Sequence, residues 1–155
     1  MRDQHQILFL TLLVTVFNLR TEDRLRTWRE FRDTLETSKT PFDDVAQFWA
    51  KTPYNSKVLD PFYKDSWPDP WKLVINNRYD LLAITLGMCY TLTLTARFKE
   101  CKCEIYMSVV PGDDPRFMSV INNEHVLNLH HGAVTTVDDM PPSAILLWDN
   151  INSQK

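Results

Sequence analysis

The sequence has 155 residues, of which 44% are hydrophobic and 24% charged, a balance that excludes disordered and collagen-like chains and favours one globular domain. A net charge of −3 argues against a general nucleic-acid binder, because such proteins gain affinity from a basic surface that neutralises phosphates. Only 3 glycines are present, and neither a dinucleotide fingerprint nor a P-loop occurs, so we predict no cofactor.

An apolar run, Ile7 to Leu19, follows Arg2 and His5 and has the outline of a signal peptide. No small-x-small cleavage site follows it, and a membrane-spanning helix needs about 20 residues. Three interpretations stay open: an uncleaved signal or anchor, a structural strand or helix, and an extension upstream of the domain. We assign residues 1–20 to an apolar extension and residues 21–155 to a single domain, and apart from this run we expect no membrane association.

Two amphipathic helices are predicted next. The apolar positions of the first recur at three- and four-residue steps. These positions are Leu25, Trp28, Phe31 and Leu35. Arginines interleaved with acidic residues occupy the rest of its surface, which is typical of a solvated helix face. The second helix begins with Thr40 as its cap and Pro41 in its first turn.

A segment rich in proline and aromatic residues, 52–70, separates these helices from a third, which begins at Asp69 and Pro70. Its aromatic side chains either pack on the core as an ordered loop or present a binding surface. The candidate binding residues are Phe62, Tyr63, Trp67 and Trp71.

A fourth helix, Tyr79 to Leu94, is apolar nearly all round and is therefore predicted to be buried. The period of apolar residues then changes to two, which is typical of strands. Five strands are predicted: Ile105 to Val109, Phe117 to Ile121, His125 to Leu129, Ala133 to Val137 and Ala144 to Trp148. The sequence thus predicts an α+β fold, in which N-terminal helices and a buried central helix pack on a C-terminal antiparallel β-meander.

A buried helix before an antiparallel sheet, with MSVINNEHVLNL as its second and third strands, resembles the core of transglutaminase-like and papain-like cysteine hydrolases. The resemblance covers Arg78 to about Val134. That family places a cysteine at the start of the helix, a histidine on the second strand and an aspartate or asparagine on the third. The corresponding positions hold Asp80, then Arg116 or Phe117, and Asn128. Because only Asn128 fits, the resemblance implies a catalytically degenerate member.

Cys89 is the candidate nucleophile of an alternative hypothesis, a cysteine hydrolase of transglutaminase-like type. This hypothesis requires Cys89, one of His125, His130 and His131, and either Asn128 or Asp139 to converge in space. The set selected from these is Cys89, His125 and Asn128. A reactive cysteine usually lies at a helix amino terminus, whereas Cys89 is in the middle of an apolar helix. We therefore expect Cys89 to be a small, inert core residue.

One set of candidate metal ligands occurs, Cys101, Cys103, His130 and His131. Cysteines two apart on a strand share a face, but adjacent histidines point to opposite faces, so at most three ligands converge where structural zinc needs four. We predict no metal site. Three cysteines cannot all pair within one chain, which favours a reducing compartment.

Two stretches, DRLRTWREFRDTLETS and SWPDPWKLV, resemble in style small proteins of contractile-tailed bacteriophages, particularly marine ones. Together with the degenerate catalytic positions, this resemblance favours a non-enzymatic binding or assembly module with a protein partner. The expected location is the host cytoplasm or the virion.

Overall fold

The computed structural model describes residues 16–153. The first half of this region forms four helices, as predicted. They are α1 (Thr21–Leu35), α2 (Pro41–Trp49), α3 (Pro70–Asn76) and α4 (Leu81–Thr93). The helices pack on a C-terminal antiparallel sheet, which confirms the predicted α+β class.

Five strands form the sheet: β1 (Cys103–Ser108), β2 (Arg116–Ile121), β3 (His125–Leu127), β4 (Val134–Thr136) and β5 (Ile145–Trp148). Their order is β4-β3-β2-β1-β5. The first four strands form the predicted meander, in which Cys103 pairs with Ile121 and Ser119 with Leu127. The last strand returns to pair with β1 and becomes an edge.

Helix α4 is buried along nearly its whole length and packs mainly on β2 and α2. The indole nitrogens of Trp28 on α1 and Trp49 on α2 both donate to the hydroxyl of Thr91 on α4, at 3.0 and 2.9 Å. Thr91 in turn donates to the carbonyl of Gly87. One helical hydroxyl therefore joins three helices in the core, because buried indole N–H groups need an acceptor.

The arginine-rich face of α1 is only partly solvated, which corrects the sequence-based expectation. Arg24 is buried and donates to the carbonyls of Val74, Ile75 and Leu19. The first two carbonyls lie in the last turn of α3, where backbone acceptors have no partner within the helix. Arg32 is buried too, with its guanidinium 4.4 Å from the ring centroid of Trp28.

Thr40 occupies the expected position before α2, but its hydroxyl caps no backbone N–H group and donates to Asp44 at 3.0 Å instead. At the start of the described region, Val16 and Phe17 are buried, and the Phe17 ring contacts Trp49 and Tyr79. The packed core therefore includes residues before Thr21, while most of the apolar run lies outside the described residues. No helix within residues 16–153 is long and apolar enough to cross a membrane.

Candidate binding site

The segment between α2 and α3 is an ordered loop, which we call the aromatic loop (residues 52–69). Its first half is held by the carboxylate of Asp80, which accepts the backbone N–H groups of Val58 at 2.8 Å and Leu59 at 2.9 Å. The N–H of Asn55 donates to the carbonyl of Tyr79 at 2.6 Å. The residues that precede α4 therefore fix this half of the loop.

The second half of the aromatic loop is held by buried aromatic contacts. Trp67 packs edge-on against Trp148 of β5, with ring centroids 5.7 Å apart, and its indole N–H donates to the carbonyl of Asp60 at 2.7 Å. The hydroxyl of Tyr90 on α4 donates to the carbonyl of Pro68 at 2.8 Å. The loop thus has fixed points on the sheet and on the central helix.

The four candidate binding residues divide into three groups. Phe62 and Tyr63 are 75% and 59% exposed. Trp67 is buried and serves the packing of the loop. Trp71 lies on α3, outside the loop, where it is 47% exposed and its ring centroid is 5.6 Å from that of Trp28.

Tyr54 is a further exposed aromatic of the loop, at 58% exposure. Sequence reasoning placed it in the loop but did not select it as a binding residue. Its backbone forms a bridge to Tyr79, directly before α4. Tyr54 therefore stands beside the amino end of the central helix.

A cleft of about 630 Å³ opens at this amino end, between the loop and the start of β2. Its apolar wall includes Leu59, Leu81 and Phe117, and Tyr54 lies at its side. Asp60 and Asp114 are exposed on its rim, and Lys57 is the one cation among the described residues that line it. The cleft offers an apolar interior with a net acidic rim, since two exposed carboxylates face one ammonium group.

The three positions matched to the cysteine-hydrolase pattern lie at this same end of α4. Asp80 caps the helix by accepting the Ala83 N–H at 2.8 Å. The amide nitrogen of Asn128 donates to the hydroxyl of Thr85 at 2.9 Å and to the carbonyl of Phe117 at 3.2 Å. Asp80 and Phe117 both line the cleft, and neither side chain is a thiol or an imidazole.

The members of the alternative catalytic set have separate partners. Cys89 is fully buried, and its thiol is one of the neighbours that raise the pKa of the Cys103 thiol on β1. His125 lies at the start of β3, where its ring is 4.5 Å from that of Phe42 on α2 and its Nε2 is 3.8 Å from the carboxylate of Glu124. Asn128 contacts the first turns of α4, before Cys89.

The candidate metal ligands are also separated in their environments. Cys101 and Cys103 are buried, whereas His130 and His131 are exposed in the turn after β3. Among residues 16–153, no group of three or more histidine, cysteine, aspartate or glutamate side chains could hold a metal ion.

Comparison with known proteins finds no matching family model, and neither a curated protein nor a solved structure matches the chain.

Proposed function

We propose that this protein is a non-enzymatic binding module that docks a segment of a protein partner on the aromatic loop and in the adjoining cleft. The observation that carries the proposal is Phe62, whose large apolar side chain is 75% exposed on a loop with a fixed backbone. Exposing such a ring to water is unfavourable, and burying it against a partner would recover about 2 kcal/mol or more.

The rigidity of the loop supports a binding role. A loop that is already ordered loses little conformational entropy when a partner binds, so more of the contact energy appears as affinity. Aromatic side chains on such a surface are typical of the few residues that dominate a protein interface. The cleft volume of about 630 Å³ is large enough for one or two side chains of a partner.

The chemistry of the cleft indicates what the partner presents. An apolar side chain fits the wall formed by Leu59, Leu81 and Phe117. A lysine or arginine beside it would meet the carboxylates of Asp60 and Asp114 on the rim. The proposed ligand is therefore a peptide segment in which a large apolar residue adjoins a basic one.

We further propose that this module is a degenerate member of the transglutaminase-like group and a bacteriophage component of the host cytoplasm or the virion. The convergence of Asp80, Phe117 and Asn128 at the amino end of α4 supports the first part. In such a protein the former catalytic cleft would bind and no longer cleave. The phage assignment rests on the resemblance of the α1 and α3 sequences alone.

The proposal is tested by selecting peptides from a random display library on the immobilised wild-type protein and measuring their affinity by calorimetry. Phe62→Ala should weaken binding at least tenfold, since removal of a central aromatic contact costs more than about 1.4 kcal/mol. Val137→Ala is the matched control, because Val137 is also an exposed apolar residue but lies after β4, at the opposite edge of the sheet from β5. Equal affinity for wild type and Phe62→Ala would refute the proposed surface.

The cysteine-hydrolase alternative makes a different prediction. It needs an accessible Cys89 beside a histidine, whereas the Cys89 side chain is buried. In a Cys101→Ser, Cys103→Ser variant, iodoacetamide should label Cys89 only after denaturation. Rapid labelling of the native protein would favour the hydrolase.

A further inference from the structure

The three cysteines form one cluster where α4 meets the start of β1. The sulfurs of Cys101 and Cys103 are 3.5 Å apart. The Cys89 thiol on α4 is a further neighbour, which raises the pKa of the Cys103 thiol. All three thiols are free.

Cys101 is the member best placed to react. It is 6% exposed, whereas Cys89 and Cys103 are fully buried. It precedes the first residue of β1, so its side chain can shift without breaking the strand ladder. A hydrogen bond from the Cys103 thiol lowers the pKa of the Cys101 thiol, and the same bond raises the pKa of the Cys103 thiol. The attacking species in thiol–disulfide exchange is the thiolate, and Cys101 is the member of the pair with some exposure to solvent, so Cys101 is assigned as the attacking sulfur and Cys103 as the resolving one.

We propose that Cys101 and Cys103 are a redox-sensitive dithiol that a low-molecular-weight disulfide, such as oxidised glutathione, converts into an intramolecular disulfide. The two sulfurs must approach from 3.5 Å to a bond length of about 2.05 Å. The sulfurs therefore need to move together by only about 1.5 Å.

The reaction proceeds in two exchange steps. The Cys101 thiolate attacks one sulfur of oxidised glutathione, the glutathione disulfide bond breaks, and one glutathione leaves with the proton that Cys101 has lost. Cys103 then attacks the Cys101 sulfur of the mixed disulfide and releases the second glutathione, which takes the Cys103 proton. The protein loses two electrons and two protons, and one oxidised glutathione becomes two reduced molecules.

Formation of the mixed disulfide makes the second exchange step easier. Its formation removes the hydrogen bond and the negative charge of Cys101 that hold the pKa of the Cys103 thiol high. Cys103 therefore becomes easier to deprotonate once Cys101 has reacted. The Cys89 thiol is not consumed in this sequence and remains free.

The backbone on either side of Lys102 holds the C-terminal end of the described chain. The Asn152 amide nitrogen donates to the carbonyls of Cys101 at 2.6 Å and Lys99 at 3.1 Å. The side-chain Oδ1 of Asn150 accepts the backbone N–H of Cys103 at 3.4 Å.

To test the proposal, the native, reduced full-length protein is incubated with oxidised glutathione. It is then denatured, its free thiols are alkylated, and its tryptic peptides are mapped by mass spectrometry. Trypsin cleaves after Lys102, so a bond between Cys101 and Cys103 joins two separate peptides and is read directly. Free thiols should fall from three to one, the remaining one being Cys89, and dithiothreitol should restore all three. Retention of three thiols, or a disulfide that includes Cys89, would overturn the proposal.

Single variants separate the roles of the two sulfurs. Cys103→Ser should stop at a stable glutathione adduct on Cys101, whereas Cys101→Ser should leave both remaining thiols free in the native state. If the buried Cys103→Ser change prevents folding, Cys89→Ala serves in its place and should still form the Cys101 to Cys103 bond. Failure of a folded Cys89→Ala protein to form that bond would contradict the proposal.

Discussion

Gly87 of α4 lies directly against the indole ring of Trp49: a Cβ atom at position 87 would be 2.5 Å from two carbons of the six-membered ring. The ring cannot withdraw easily, because Trp49 is fully buried and its N–H is bonded to Thr91. Crowding of the ring by Gly87→Ala should cost about 1 to 3 kcal/mol. Since alanine gains at most about 1 kcal/mol in helix propensity, the free energy of unfolding should fall by up to about 2 kcal/mol. Urea denaturation measures the difference.

A double variant tests the cause of that loss. Trp49→Phe removes the ring carbons nearest to position 87, so Gly87→Ala should cost less in the Trp49→Phe background than in the wild type. If the two losses simply add, crowding against Trp49 is not the reason.

Thr91→Val should be among the most damaging small changes in the core. Valine matches threonine in shape but leaves the buried indole N–H groups of Trp28 and Trp49 without an acceptor. Two unsatisfied donors cost roughly 2 to 6 kcal/mol. Thr93→Val is the control, because Thr93 is half-buried on the same helix and only donates one long bond of 3.4 Å, to Tyr90. A comparable loss in unfolding free energy for both variants would assign the effect to the helix and not to the indoles.

The sequence predicts the elements of this fold well because each has a strong local pattern. The apolar circumference of α4 and the period of two around Ile105 depend only on neighbouring residues. The burial of Arg24, in contrast, cannot be predicted from a local pattern. Its guanidinium is satisfied by the carbonyls of Leu19, Val74 and Ile75, and the last two lie about 50 positions away in the chain, so charge spacing on α1 could not reveal it.

The candidate site is only partly predictable for the same reason. The aromatic composition of the loop identifies the region, but which rings are exposed depends on distant partners. Trp67 is buried because Trp148 of β5 lies beside it, whereas Phe62 has no such neighbour among the ring contacts of the described residues. The thiol cluster likewise depends on the alignment of α4 along β1, which brings Cys89 to Cys103. No spacing within the sequence encodes that alignment.

Asp80→Ala should both destabilise the fold and loosen the aromatic loop. The change removes the cap of α4 and the acceptor for two loop N–H groups, at Val58 and Leu59. The loss of three hydrogen bonds should cost about 2 to 4 kcal/mol of unfolding free energy. Trypsin cleavage after Lys57 should also become faster under native conditions.

Asp69→Ala is the matched control for Asp80→Ala. Asp69 also caps a helix, since it accepts the N–H of Lys72 at 2.8 Å, but it is exposed and makes no such bond to the first half of the loop. It should cost about 1 kcal/mol and leave tryptic cleavage after Lys57 unchanged. Equal cleavage rates in the two variants would show that Asp80 does not hold the loop.

Alkaline pH should destabilise the protein through two buried tyrosines. Burial raises the pKa of Tyr79 and of Tyr90 well above the ordinary value of about 10. Below about pH 10 both hydroxyls are protonated in the folded and the unfolded chain, so stability does not depend on them. Above about pH 10 the unfolded chain loses these protons before the folded chain does. Each tyrosine then lowers the unfolding free energy by up to about 1.4 kcal/mol per pH unit, until the pH reaches the pKa of that tyrosine in the folded protein.

Phenylalanine variants separate this alkaline effect from hydrogen bonding at neutral pH. Tyr90→Phe loses the bond to the Pro68 carbonyl and should cost about 1 kcal/mol at neutral pH. Tyr79→Phe should be neutral or slightly stabilising, because the Tyr79 hydroxyl is buried and has no hydrogen-bond partner within the described residues. Each variant should lose less stability than the wild type between about pH 8 and about pH 11 in urea denaturation, since one titrating group is gone. If Tyr79→Phe costs as much as Tyr90→Phe at neutral pH, the Tyr79 hydroxyl has a stabilising partner and the expected asymmetry is wrong.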